Sequence, residues 1–476
     1  MNVNENPLDL LPEVLLAGSA VTGLLLGSWL PRARQWLVGA LAAVACAAGV
    51  VAAAVAAGTG PRTAFGDAYA LDPVTATCRV VVLVGTLGVL ALAVPRLRGH
   101  PRETEWYVLL QLAALGTVLL AGAQDLLLVA AAYLLASLPA YVLAGFAKDG
   151  PGTEAALKFY VTGALLGALM LGGVTLLLAA GRATGYPVLR AELPSAPAGV
   201  VAAGVVGVLA GLLFKAGGVP GHFWVPDAIQ GTTGPAAAFL STVPKLGALA
   251  ACYRLGSVAL PAGTADVPWA ALFAVLSAAS MTLGNLAAFF QEDVRRLLAY
   301  STVSQVGYLL LPVAAAGRSA LAQPALLFYL AAYAVTNLGA FAVVCALPGA
   351  RRIADHRGLA RTRPVLAGAL AVCLLGLVGT PPTGVFFGKL QAFGAVIDAG
   401  YAWLALLAVA NTVASLFYYL RWIAPVFSGP AQDAPGAPSP ARTPAGVVAG
   451  TAAVLSVALG LVGGPLLDAL NGTPAG

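Results

Sequence analysis

Apolar residues in this chain do not alternate as in a half-buried strand, nor form the narrow stripe of a soluble helix. They come in runs of about 17–25 residues, the length a helix needs to cross a bilayer. The runs predict about fourteen spans, at residues 10–29, 35–57, 73–94, 106–123, 126–147, 157–180, 198–218, 235–254, 268–290, 297–315, 322–347, 364–395, 402–425 and 444–467. Two runs are interrupted in the same manner: AGGVPGHFWVP follows Lys215, and GTPPTG precedes Lys389. Proline removes a backbone donor and glycine tolerates unwound geometry. Such a break survives at membrane depth only where it lines a cavity or is buried in protein.

A faint repeat accompanies the breaks, since ALKFY at 156–160 and ALLFY at 325–329 each open a span. Interrupted helices in two halves of a chain point to an inverted-repeat transporter architecture. The expected fold is an all-α polytopic membrane protein with two inverted five-helix repeats, spans 4–8 and 9–13, in which spans 7 and 12 are broken. The corresponding division is 1–105 for the first three spans, 106–260 and 261–427 for the repeats, and 428–476 for a linker and span 14. SGPAQDAPGAPSPARTPA at 428–445 reads as a flexible cytoplasmic linker, and the outer loop at 181–199 carries no legible chemistry. Gly163 and Gly167, like Gly207 and Gly211, have the spacing that lets helices approach closely. No strand precedes them, so they are not nucleotide loops.

Composition agrees. Hydrophobic residues make up 60% of the 476 and charged residues 9%, with a mean hydropathy of +0.89, which excludes a soluble domain. The charge of +6 is no nucleic-acid footprint, because the arginines fall in short loops. Arg32, Arg34, Arg96, Arg98, Arg102, Lys148, Arg295, Arg296, Arg351, Arg352, Arg357, Arg361, Arg363, Arg421 and Arg442 lie on one side of the spans. The other side has Arg62, Arg182, Arg190, Arg254 and Arg318, so fifteen against five places the first set in the cytoplasm and both termini outside. Arg79 sits near the outer end of its span. MNVNENPLDL has no basic leader, so the first span is expected to be retained. Cys46, Cys78, Cys252, Cys345 and Cys373 are isolated and read as packing residues.

The chemistry lies in the lysines. There are only five, and Lys215, Lys245 and Lys389 sit deep in apolar runs beside the Gly/Pro breaks. A buried ammonium can release its proton, whereas a guanidinium does not. Ionisable groups at membrane depth mark ion or proton paths by default, and snorkelling to the headgroups suits a span end rather than these positions. Glu154 and Lys158, four apart, can form an exposed ion pair. All nineteen acids lie at span ends or in loops, and Glu13 and Asp227 there read as structural.

LLPEVLLAGSA, TEAALKFYVTGALLG, LLFKAGGVPGHFWVPDAIQG, AAFLSTVPKLG, EDVRRLLAYSTVSQVGYLLL, DHRGLARTRP and GTPPTGVFFGKLQAF carry a resemblance. From about residue 8 to 427 the chain resembles the subunit N family of the proton-pumping NADH:quinone oxidoreductase (complex I). That family belongs with the antiporter-like subunits, which are related to Mrp-type sodium/proton antiporters. HFW after the first break, VPK in span 8 and a lysine in span 12 favour subunit N over its siblings L and M. The sequence ends just after span 14, so the lateral helix of subunit L is not expected.

The resemblance implies a lysine path along the membrane midplane. A span-5 glutamate would pair with Lys215, and Lys245 would pass protons towards Lys389. His222, Tyr300, Ser301 and Ser304 would line the hydrated route. Two departures stand out. LLASLPAYVLAGF places Leu134 where the family has its glutamate and adds Pro139, and Gln305 stands where the family usually has histidine. Glutamine hydrogen-bonds but does not titrate near neutral pH.

The chain has no dinucleotide fingerprint, cluster-ligating cysteine set or flavin motif, and no cofactor is expected on it. FMN, iron–sulfur clusters and quinone would belong to other subunits of a plasma-membrane complex, with subunits resembling M and K as neighbours. Three readings stay open: a proton-translocating subunit of such a translocase, an Mrp-like cation/proton antiporter, and a structural membrane subunit that does not pump.

Overall fold

The computed structural model describes residues 6–260, 268–429 and 443–470. In chain order its helices are α1 (Leu11–Trp29), α2 (Trp36–Ala57), α3 (Pro73–Leu97), α4 (Glu103–Gly122), α5 (Leu126–Ala144), α6 (Gly150–Gly181), α7 (Tyr186–Glu192), α8 (Ala198–Ala216), α9 (Trp224–Gly231) and α10 (Gly234–Arg254). They continue as α11 (Trp269–Ala288), α12 (Val294–Ala314), α13 (Ala322–Ala346), α14 (Leu359–Thr362), α15 (Pro364–Val378), α16 (Gly384–Asp398), α17 (Ala402–Phe427), α18 (Pro444–Leu461) and α19 (Gly463–Leu470). A hairpin of β1 (Arg62–Ala64) and β2 (Tyr69–Leu71), antiparallel with Arg62 opposite Leu71, joins α2 to α3.

Among the described residues thirteen helices are long and apolar enough to cross a membrane. The two spans expected to be broken are divided: span 364–395 is α15 and α16, and the span ending near 218 is α8 followed by the short α9. The chain is thus a multi-pass membrane protein. Span 6 begins at Gly150, earlier than its apolar run, because Asp149 caps the helix by accepting from the Gly152 N–H at 2.8 Å. Helix α7 lies inside the expected outer loop; seven residues are too few to stand out as a span, and Tyr186 and Leu189 anchor it in the core. The expected linker at 428–445 falls mostly outside the described residues.

Many acids sit at span ends because helix N-termini need acceptors. Asp72 caps α3, Asp125 caps α5 and Asp293 caps α12, each accepting from first-turn N–H groups. The connections are knitted in two sets. Tyr69 bridges Ala123 and Asp125 bridges Gly185, joining the 2–3, 4–5 and 6–7 connections. Asp293 bridges Arg352, and Arg102 donates to the Phe146 carbonyl, joining connections 9–10 to 11–12 and 3–4 to 5–6. Connections of opposite parity are not joined in these bridges, as alternating spans require.

Helices α10, α12 and α13 are almost wholly buried and form the centre of the bundle. Glycine lets the outer helices close on one another: a Cβ at Gly207 of α8 would lie 2.8 Å from the Gly173 Cα of α6. Gly211 likewise faces Met170, and Gly167 faces Tyr133. The five cysteines are free, and all but the partly exposed Cys345 are buried.

Two buried ion pairs fasten the first spans to the bundle. Arg79 donates to Glu13 at 2.8 and 2.9 Å, and the Tyr69 hydroxyl donates to the same carboxylate at 2.7 Å. Arg254, counted above as an outer-loop cation, is instead the fully buried last residue of α10. It grips Asp72 through two bonds of 2.8 and 2.6 Å and donates to the Ala121 carbonyl at 2.6 Å. The correction has a simple origin: Asp72 lies 182 residues away in sequence, so local pattern could not show the pairing. Removing one partner of a buried pair leaves the other charge uncompensated. Asp72→Ala is therefore expected to destabilise the protein by about 3–5 kcal/mol, read as a lower thermal unfolding midpoint in detergent. An unchanged midpoint would show that the pair is dispensable.

Candidate functional site: lysines at two helix breaks

Both broken spans are built in the same way. Helix α8 ends at Ala216, and Gly217 follows with φ +77°. The Gly217 N–H donates to the Leu213 and Phe214 carbonyls, and the Gly218 N–H donates to Leu213. Helix α15 ends at Val378, and Gly379 follows with φ +88°. Its N–H donates to Leu375 and Gly376, and the Thr380 N–H donates to Leu375. Each is a Schellman close, in which a left-handed residue just past the helix satisfies its last carbonyls. Only glycine adopts that conformation at little cost. Each break also contains one cis X-Pro peptide, Val219–Pro220 and Pro381–Pro382.

The carbonyl left over at each break accepts a lysine. Lys245 Nζ donates to the Ala216 carbonyl, the last of α8, at 2.8 Å. Lys389 Nζ donates to the Val378 carbonyl, the last of α15, also at 2.8 Å. The negative end of a helix dipole favours a cation there. Each glycine packs directly on its lysine. A Cβ at Gly217 would lie 2.8 Å from Lys245 Nζ, and one at Gly379 would lie 3.0 Å from Lys389 Cδ. Lys389 Nζ also sits 3.9 Å from the Tyr308 ring centroid, and Lys245 Nζ lies 5.5 Å from that of Trp224.

Lys215 is held differently. In the last turn of α8, its Nζ donates to the Ala136 carbonyl of α5 at 2.6 Å and to Ser137 Oγ at 3.2 Å. Pro139 lacks an N–H and loosens the α5 ladder beside that carbonyl. Among the described residues no carboxylate pairs with Lys215, Lys245 or Lys389, all of which are buried. Their partners are neutral. An ammonium has three N–H donors and a neutral amine still has two, so either form can keep a carbonyl contact. The arrangement suits groups that take up and release a proton.

Polar side chains line the core between Lys245 and Lys389. On α13, Tyr333 donates to the Ser241 carbonyl at 2.7 Å, and Asn337 donates to Ser241 Oγ and Thr242 Oγ1 at 3.1 and 2.8 Å. One turn before Tyr333, Tyr329 donates to Gln305 Oε1 at 2.6 Å. Gln305 Nε2 donates to the Leu377 carbonyl of α15 at 2.8 Å. Thr412 of α17 links Tyr308 at 3.1 Å and Lys389 at 3.5 Å. A side branch joins Ser301 to Tyr419 at 2.5 Å, and Ser304 to Asn285 at 3.1 Å. Asn285 continues to Tyr418 and Asn411.

Of the residues expected to line a path, Ser301, Ser304 and Gln305 are buried in this region. Gln305 helps cap a half-helix, a task its neutral amide fulfils. Tyr300 stands apart, with the Arg296 guanidinium 5.8 Å from its ring centroid. His222 is partly exposed beside Phe223, at 4.5 Å between ring centroids. Glu154 and Lys158 form the expected exposed pair at 2.7 Å. Leu134 is 43% exposed, three residues before Ser137 and so on an adjoining face of α5. Sequence reasoning missed Tyr329, Tyr333, Asn337, Thr412, Ser137 and Trp224. The signal for three of them was present, since Tyr329, Tyr333 and Asn337 recur every four residues on one face of an apolar helix.

Comparison with known proteins agrees with this architecture. The family described as NADH:quinone oxidoreductase/Mrp antiporter, TM, matches residues 123–415. The chain is 55% identical over 471 residues to NADH-quinone oxidoreductase subunit N 1 of Streptomyces griseus subsp. griseus, covering 99% of each. A chain in the structure of respiratory complex I from Thermus thermophilus superposes with a TM-score of 0.82 at 33% identity, over 97% of this chain and 100% of that one. A chain of the Mrp complex from Dietzia sp. DQ12-45-1b superposes with a TM-score of 0.84 at 24% identity, over 97% of this chain and 96% of that one. The last likeness is one of fold alone.

The glycines of the two breaks generate a direct test. Gly217→Ala must hold a Cβ in the left-handed region, costing about 1–2 kcal/mol, and must also displace Lys245. A lower unfolding midpoint is expected, with a larger loss than for alanine at Gly172, where a Cβ meets nothing within 4 Å. Equal midpoints for the two variants would refute the described contact.

Proposed function

The chain belongs to the subunit N family of NADH-quinone oxidoreductase, and on that premise we propose that it carries protons along the membrane midplane through Lys215, Lys245 and Lys389. One observation carries the reading: three buried amines meet only neutral acceptors, two of them at the carbonyl ends of broken helices. A cation kept only for structure is better served by the carboxylates that hold Arg79 and Arg254. The polar side chains from Ser241 to Thr412 would relay protons between Lys245 and Lys389, with water completing the gaps. The two units of the proposal are α4–α10 and α11–α17, each containing one broken span.

Electron transfer from NADH to quinone, with its FMN and iron–sulfur clusters, belongs in this reading to other subunits. Subunits resembling M and K would flank the chain in the membrane arm. With Arg254 buried in α10, fifteen loop cations against four support a plasma-membrane orientation with both termini outside. A second reading, a membrane subunit that does not pump, draws on Leu134: no carboxylate stands there to modulate Lys215.

Lys245→Arg keeps the charge but cannot release the proton near neutral pH. In the assembled complex reconstituted into vesicles, it is expected to abolish NADH-driven proton uptake attributable to this subunit while leaving assembly intact. Normal uptake would remove Lys245 from the path. Leu134→Glu offers the complementary gain. A carboxylate one turn from Ser137 would favour the charged form of Lys215, so coupled transport should rise or its pH profile should move upward. A profile matching the parent's would favour the structural reading.

A further inference from the structure

We propose that Asp227, with the ion cluster around it, is a positioning residue that sets the Lys215–Lys245 end of the path through the short helix α9; the inference rests on the function proposed above. Helix α9 has eight residues, too few to be stable without tertiary contacts. Its two ends touch very different surroundings. At the inner end, the Trp224 indole N–H donates to the Phe214 carbonyl at 2.8 Å, in the last turn of α8 beside Lys215. The Trp224 ring stacks on Phe159 of α6, with centroids 4.0 Å apart and planes 16° from parallel. Lys245 Nζ lies 5.5 Å from that ring.

One turn along, Asp227 is partly exposed at the surface of the bundle. It accepts from Lys158 of α6 at 2.9 Å and from Arg296 of α12 at 2.8 Å. Arg296 also donates to Gln230 of α9 at 2.9 Å, and Glu154 holds Lys158 at 2.7 Å. The cluster thus pins one short helix to two different spans. An isolated exposed ion pair would contribute little. Here one carboxylate joins two cations from different spans, and removing its charge leaves Lys158 to Glu154 and Arg296 to the neutral Gln230, so that α6 and α12 are no longer tied through α9. The helix can then move only by carrying Trp224 with it. That shift changes what lies over Lys245 and what satisfies the last turn of α8. The cluster lies at the surface of the chain, with Lys158 48% exposed and Asp227 28%. The buried end of the path is thereby coupled to partly exposed charges at the surface of the bundle.

The test uses the intact complex in vesicles, with proton transport measured against pH and normalised to assembled complex. Asp227→Asn is expected to lower the rate several-fold and to shift the pH profile. Trp224→Phe should shift it in the same direction, and the double variant should be no worse than the more severe single one. Asp227→Glu, which keeps the charge, should restore the parental profile. If Asp227→Asn fails to assemble, Lys158→Gln, which removes one cation from the exposed side, should give a smaller shift of the same kind. An unshifted profile in Asp227→Asn, or in Lys158→Gln where the former does not assemble, would overturn the inference. Full additivity with Trp224→Phe would also overturn it. If Lys245→Arg abolishes transport while these profiles stay parental, the inference falls and the lysine path stands. If Lys245→Arg transports normally, the path itself falls.

Discussion

A bilayer core offers no water to a broken helix and none to a charge, and this protein meets both demands with one contact. Where a span stops at membrane depth, its final carbonyl accepts a lysine ammonium, Ala216 from Lys245 and Val378 from Lys389. The break supplies the acceptor that the cation needs, and the cation caps the helix that the break exposed. The rest of the bundle is arranged around these contacts. Glycines 217 and 379 let the chain turn without a Cβ that would occupy the lysine's place. The almost wholly buried helices α10, α12 and α13 enclose both sites.

The chain treats two kinds of buried charge in opposite ways. Arg79 and Arg254 are locked to carboxylates, with guanidinium groups that hold their protons and bonds that fasten distant segments. Lys215, Lys245 and Lys389 meet carbonyls, a hydroxyl and aromatic faces instead. A fixed charge is stabilised by a fixed counter-charge. A charge that comes and goes is better met by dipoles that remain satisfied in both states, because a permanent anion would itself be stranded each time the amine became neutral. The residue types thus separate cations that meet carboxylates from cations that meet neutral dipoles, and in the proposed function that separates fastening from transport.

Lys215 is the site where this scheme differs from what the family resemblance implies. The resemblance places a glutamate at Leu134, yet the groups that face Lys215 from α5 are the Ala136 carbonyl and the Ser137 hydroxyl. Lys215 is therefore held by neutral partners, as Lys245 and Lys389 are. Its neighbour Lys245 shares the α8 terminus with it, and Trp224 closes the same terminus from α9. The contacts of Trp224 with the Phe214 carbonyl and with Lys245 both depend on where α9 sits.

Much of this was legible in the sequence. Apolar run length set the spans, the Gly/Pro clusters set the breaks, and the rarity of lysine singled out the three amines, since each of these is a local property of a segment in a bilayer. The clustering of acids at span ends was equally visible, and N-capping accounts for several of them. Partnership was not visible. Asp72 meets Arg254 across 182 residues and Glu13 meets Arg79 across 66, distances at which only packing decides who is neighbour to whom. The same holds for Tyr329, Tyr333 and Asn337, whose four-residue spacing marks a polar face but does not say what it faces. Which carbonyl each lysine reaches, and that Asp227 ties α9 to α6 and α12, followed only from how the helices close on one another.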